Sequence, residues 1–85
     1  MKMLHKLLDI YEDDSLITLD GLDDAVIGID EHQMRLIYSQ SKILSILMER
    51  EKWNIDETEE FFAYNIFPLY VGEHSPIFCL DNFKY

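Results

Sequence analysis

Cysteine is all but absent. Cys79 stands alone, and a lone thiol closes no internal disulfide, so nothing here requires an oxidising compartment. It lies within the apolar run 77–80 and reads as a buried free thiol. Long apolar runs are missing too: no stretch approaches the ~18–20 residues of a membrane span. The first apolar residues are broken by His5, Lys6 and Asp9, and no small-residue cleavage site follows them. The expectation is a cytoplasmic protein without membrane contact. A glycine-rich phosphate loop and a G-x-S-x-G nucleophile turn are lacking. His5, His32 and His74 have neither zinc-site spacing nor cysteine partners, and read as surface residues. His74 and Cys79 would be the one nucleophile pair, yet an apolar strand disfavours a thiolate. No catalytic residue, metal or cofactor is therefore expected, and the chain reads as non-enzymatic.

Basic residues are the next shortage. Seven Lys or Arg face seventeen Asp or Glu, for a net charge of −10. No Lys or Arg occurs between residues 7 and 34, where nine acids stand, nor between 53 and 83, where six more do. Direct nucleic-acid binding is disfavoured, because phosphate neutralisation needs basic side chains. A protein partner with a basic surface, or solubility alone, fits this charge. The acids do not follow an EF-hand, which needs ligands at alternate positions, a central Gly and a closing Glu. They read as a solvated face.

What is present is a folded composition: 48% apolar and 13% aromatic residues over 85 positions, enough for one small domain spanning 1–85. No repeat, low-complexity tract or linker divides it. Met3, Leu4, Leu7, Leu8 and Tyr11 recur at helical spacing and predict a helix over 2–12. Leu16, Ile17 and Leu19 form an apolar connection, Asp20-Gly21 a turn, and Leu22-Asp23-Asp24 can add one helical turn. Residues 25–29 and 34–38 read as strands joined by a polar break, hence an antiparallel hairpin. Gly28 inside the first suggests a bulge or a close backbone contact. Ser39 is a plausible N-cap for a helix carrying Ile43, Leu44, Leu47 and Met48. Asp56 and Glu59 form a capping-box pattern for the next helix, whose Phe61, Phe62, Asn65 and Ile66 share a face. Pro68 stops it, Gly72 turns the chain, and 77–80 is a last strand.

The order is α-β-β-α-α-β. The expected fold is α+β, two-layer, with a three-stranded antiparallel sheet and the helices packed on one face. The last strand is expected beside 25–29, placing that run at the centre. Bare sheet edges would allow self-association.

Four pieces, D-G-L-D-D-A-V-I-G at 20–28, I-L-M-E-R at 46–50, E-E-F-F-A-Y-N at 59–65 and Y-V-G-E-H-S-P-I-F at 70–78, resemble a family of short phage and bacterial proteins of unknown function. The resemblance covers most of 20–78. It implies a phage or prophage setting, with the host cytosol as location, and carries over no functional residue.

Two surfaces are candidates for binding. One is the acidic segment with Asp13, Asp14, Asp23 and Asp24, expected to carry the strongest negative field. The other is the turn region with Tyr64, Tyr70, Glu73 and His74, where tyrosines suit a protein interface. There, Asn65 has a structural alternative: a hydrogen bond that fixes the 70–75 loop. The function expected is a small acidic non-enzymatic binding protein of phage type acting on a host protein. An alternative is a nucleic-acid mimic that blocks a basic channel of a host nuclease, defence factor or polymerase. An enzyme using two paired carboxylates is the remaining class.

Overall fold

The computed structural model describes residues 2–11 and 15–81. Helix α1 spans Met3–Ile10, with Leu4 and Leu7 buried. Tyr11 packs on the same core, whereas Met3 and Leu8 stay 42% and 41% exposed. The buried stripe is narrower than the spacing predicts, because this short helix meets the rest of the fold along one line against β1. A 3-10 turn follows at Asp23–Ala25, where the Ala25 N–H donates to the Leu22 carbonyl at 2.9 Å.

Strands β1 (Val26–Asp30) and β2 (Arg35–Ser39) form the expected antiparallel hairpin. Its register shifts between Val26 and Gly28, so the bulge lies where the glycine suggested. At the turn, the Asp30 carboxylate accepts from the His32 N–H at 3.0 Å. Met34 then takes a left-handed φ of 53° to re-enter the sheet.

Helix α2 (Gln40–Glu51) starts on Ser39, whose Oγ accepts from the Lys42 N–H at 3.1 Å. Ile43, Leu44 and Leu47 are its buried stripe. It ends where Lys52 turns left-handed, with φ 61°. Helix α3 (Ile55–Phe61) begins two residues earlier than the Asp56 pattern predicts. The capping box is Asn54 with Glu57: Asn54 Oδ1 accepts from the Glu57 N–H at 2.8 Å, and Glu57 Oε1 from the Asn54 N–H at 3.0 Å. Both sequence pairs have the right spacing. The earlier start lets Thr58 bury completely and donate its hydroxyl to the Asn54 carbonyl at 2.7 Å.

After α3 the chain widens into a π turn at Phe62–Ile66, then runs without regular structure to β3 (Ile77–Cys79). Here the expected topology is corrected. β3 pairs with β2, not β1, and it pairs parallel: Ile37 faces Ile77, Tyr38 faces Phe78 and Ser39 faces Cys79. The sheet is mixed, its order is β1-β2-β3, and β2 is central. The physical reason lies in the return segment. Two tethers start β3 at the same end as β2: Arg35 Nε donates to the Ser75 carbonyl at 2.6 Å, and His74 Nδ1 meets the Gln33 and Met34 carbonyls at 2.8 and 3.1 Å. An antiparallel entry would have to begin at the Ser39 end.

Leu36 and Tyr38 of β2 are fully buried among residues of α1, β1, α2 and the π turn. The Tyr38 hydroxyl accepts from the Leu19 N–H at 2.7 Å, and burial pushes its pKa up. At the far end of β2, Ser39 Oγ donates to Asp81 Oδ2 at 2.5 Å, while the Ser41 N–H donates to Asp81 Oδ1 at 3.0 Å. The hydrogen bond from Ser39 leads the interactions that hold the Asp81 carboxyl below its ordinary value of 3.8.

This junction yields a prediction. Asp81→Ala removes an acceptor at the start of α2 and is expected to cost about 1 kcal/mol, or roughly 4–8 °C in melting temperature for a domain of this size. Because the folded carboxyl stays charged to lower pH than the unfolded one, its contribution is complete above about pH 5. It is lost as pH falls through the depressed folded value. Thermal melts of both proteins from pH 7 down to 2 should show the gap closing at the acid end; a constant gap would contradict the assignment.

Candidate functional site

Of the exposed large apolar residues, Tyr64, Phe67, Leu69, Tyr70, Val71 and Leu80 fall between the π turn and the end of β3, while Met3, Leu8 and Ile10 lie on α1 and Ile55 starts α3. The turn forms because the Phe67 N–H bonds the Phe62 carbonyl, five residues back, at 2.8 Å. Pro68 has no N–H to extend the helix, and the Leu69 N–H closes it by donating to the Ile66 carbonyl, three residues back, at 3.1 Å. The wider turn brings Phe62 and Phe67 together, with ring centroids 5.9 Å apart. Phe78 joins them from β3, edge-on to Phe62 at 5.5 Å and tilted to Phe67 at 6.2 Å. It also touches the Tyr38 ring, at 6.3 Å, which ties the cluster to the core.

Above this cluster lies an open groove of about 460 Å³. Phe62, Phe67, Phe78, Ala63 and Leu80 line it, with Glu59 and Gln40 at its polar border. Phe62 is buried, but Phe67 and Leu80 are 60% and 57% exposed. Phe78 and Leu80 are two residues apart, so an extended backbone turns both to the same side. β3 is the outermost strand on this side among the described residues. The groove thus takes part of its lining from the outermost strand and the residue after it, with its floor held by packed rings and its surface mostly apolar. It can take up apolar side chains; it presents no nucleophile with a base.

The residues singled out in the sequence lie elsewhere. Asp13 and Asp14 fall outside the described residues. Asp23 and Asp24 sit on the 3-10 turn, and Asp24 pairs with Lys2 Nζ at 3.4 Å. Asp24 also shares a depression with Arg50 and Lys52. Tyr64 is 75% exposed and lines another with Trp53, Glu57 and Glu60. Tyr70 is 76% exposed. Glu73 and His74 line a further one with His32 and Gln33.

Three expectations are corrected. Asn65 does not fasten the 70–75 loop: its Nδ2 donates to the Phe61 carbonyl at 3.2 Å, within its own helical segment. Ser75 closes the loop, donating its hydroxyl to the Gly72 carbonyl at 2.7 Å and accepting from the Val71 N–H at 2.9 Å. Cys79 is half-buried, not buried, because β3 is an edge. His74 is half-buried at the Gln33–Met34 end of β2, and Cys79 lies opposite Ser39 at the other. A strand of that length separates them by roughly 15 Å, too far for a nucleophile–base pair.

The groove residues Phe62, Phe67, Phe78 and Leu80 were missed as a site. Their only signal is five-residue spacing of two phenylalanines before a proline, which a helical reading treats as two different faces. No family model, curated protein or solved structure matches this chain.

The division between floor and surface is measurable. Phe62→Ala should cost about 3–5 kcal/mol, as for a buried aromatic ring. Phe67→Ala should stay within about 1 kcal/mol, because most of its surface is already in water. Urea unfolding of the two variants should give a large fall in midpoint for the first and a small one for the second. Equal losses would mean that Phe67 serves packing alone.

Proposed function

We propose that the chain is a small non-enzymatic binding protein that holds a protein partner through the groove between the π turn and β3. One observation carries this reading. Phe67 and Leu80 stand 60% and 57% exposed over an ordered aromatic floor. Apolar groups gathered over a groove with a polar border are the pattern of an interaction surface rather than of scattered surface residues.

Charge gives the partner its character. The segment that builds most of the groove has six acids and no Lys or Arg between 53 and 83. A partner with basic groups around an apolar contact would be drawn in by the acids and retained by the aromatic floor. The resemblance of 59–65 and 70–78 to short phage and bacterial proteins supports a host protein as that partner.

The acidic segment 20–24 is the less favoured surface for a nucleic-acid mimic, because Lys2, Arg50 and Lys52 lie beside Asp24.

Capture from host lysate with wild type and with Phe67→Ser/Leu80→Ser tests the reading. The expected outcome is one stoichiometric protein retained by wild type and lost by the double variant, with folding of both checked by circular dichroism. A protein retained equally by both would defeat the groove. If DNA competes it away, and Asp23→Asn/Asp24→Asn weakens it, the mimic reading replaces this one.

A further inference from the structure

Resting on that reading of the groove, we infer that its occupant is an extended strand of a basic partner protein, added to the open edge of β3 with alternate apolar side chains in the groove. Three observations lead there. The sheet ends at β3 on this side, so that edge has main-chain groups without a strand neighbour among the described residues. The groove takes one wall from that same strand, Phe78 within it and Leu80 just beyond it. Its other wall, Ala63 and Phe67, comes from the turn packed over the same side.

A strand placed next to β3 would send every second side chain toward this wall, at a repeat of roughly 6.6 Å. Main-chain bonds then supply general affinity, and the groove selects the side chains. A helix laid in the groove would cover the floor but leave the edge unused.

Charge chooses between partners. A second copy would bring another net −10 against Glu59 at the groove's border, a like-charge contact that opposes pairing. A strand flanked by Lys or Arg meets the opposite sign. The shortness of β3, three residues, does not prevent this, because Leu80 and Asp81 continue beyond it before the described chain ends.

The probe is a short peptide with leucine, phenylalanine and isoleucine at alternate positions, threonine between them and lysines at both ends. Fluorescence anisotropy with the full chain should show saturable binding. Phe67→Ser/Leu80→Ser should weaken it at least tenfold, and glutamates in place of the terminal lysines should do the same. A series of peptides, each N-methylated at one residue, gives the decisive readout. Methyl groups at every second position should weaken binding at least tenfold, and those between should leave it unchanged. Amide exchange within 77–80 should slow in the complex.

A flat methylation pattern would overturn strand addition while leaving the groove as the binding surface. Failure of the peptide to bind, while the double variant still loses its captured protein, would do likewise. Loss of both would bring down the groove itself. Sedimentation showing a dimer that Phe67→Ser/Leu80→Ser dissolves would give the edge to a second copy. Peptide binding seen only after Phe83→Ser/Tyr85→Ser would give it to the chain's own terminus. Either result would overturn the assignment.

Discussion

Ser39 is the point on which the fold turns. It ends the central strand, caps α2 and lies opposite Cys79 in the parallel pair. It is fully buried, so its hydroxyl must be satisfied inside the protein. It accepts from the Lys42 N–H and donates to Asp81. Asp81 in turn receives the Ser41 N–H. One carboxylate from beyond β3 thus sits at the positive end of α2, where the helix dipole also favours it. A parallel pair demands a long crossover, here both helices and the return segment. Its two ends are pinned separately, by Ser39–Asp81 at one and by Arg35–Ser75 at the other. With both in place, Phe78 has only one side to face, and it meets Tyr38 and Phe62.

Local signals in the sequence were reliable where one element decides its own form. The element order, the stripe of Ile43, Leu44 and Leu47, the Ser39 cap and the bulge near Gly28 all follow from short-range spacing. The start of α3 shows the limit. Asn54 with Glu57 and Asp56 with Glu59 satisfy the same pattern, and burial of Thr58 selects the first. The partner of β3 was less legible still. Its choice of β2 rests on contacts about 40 residues apart in sequence, Arg35 to Ser75 and Ser39 to Asp81. The groove depends on that choice, so it was hidden for the same reason.

Charge shows a related limit. Counted along the chain, residues 7–34 have nine acids and no Lys or Arg. In the fold, Lys2, which caps the start of α1, reaches Asp24, and Arg50 and Lys52 at the end of α2 share a depression with it, together with Glu49. These are exposed contacts worth little in stability. Their effect on the field is larger, since at ~0.1 M salt a charge is felt over about 10 Å. A run of acids in sequence therefore overstates the potential at this turn. The segment 53–83 is corrected in the same way, since Arg35 bonds the Ser75 carbonyl and Arg50 shares a depression with Phe61 and Asn65.

The groove and the sheet edge also raise a problem that the fold must solve. An exposed edge beside exposed aromatics invites unwanted pairing between copies. Two features oppose it here. β3 has only three residues, so it offers a short ladder. Glu59 stands at the border of the groove, and every copy presents the same sign there. Both features penalise a second copy, but only the first penalises a strand of opposite charge. A design that served solubility alone would have placed the acids and omitted Phe67 and Leu80 from the surface.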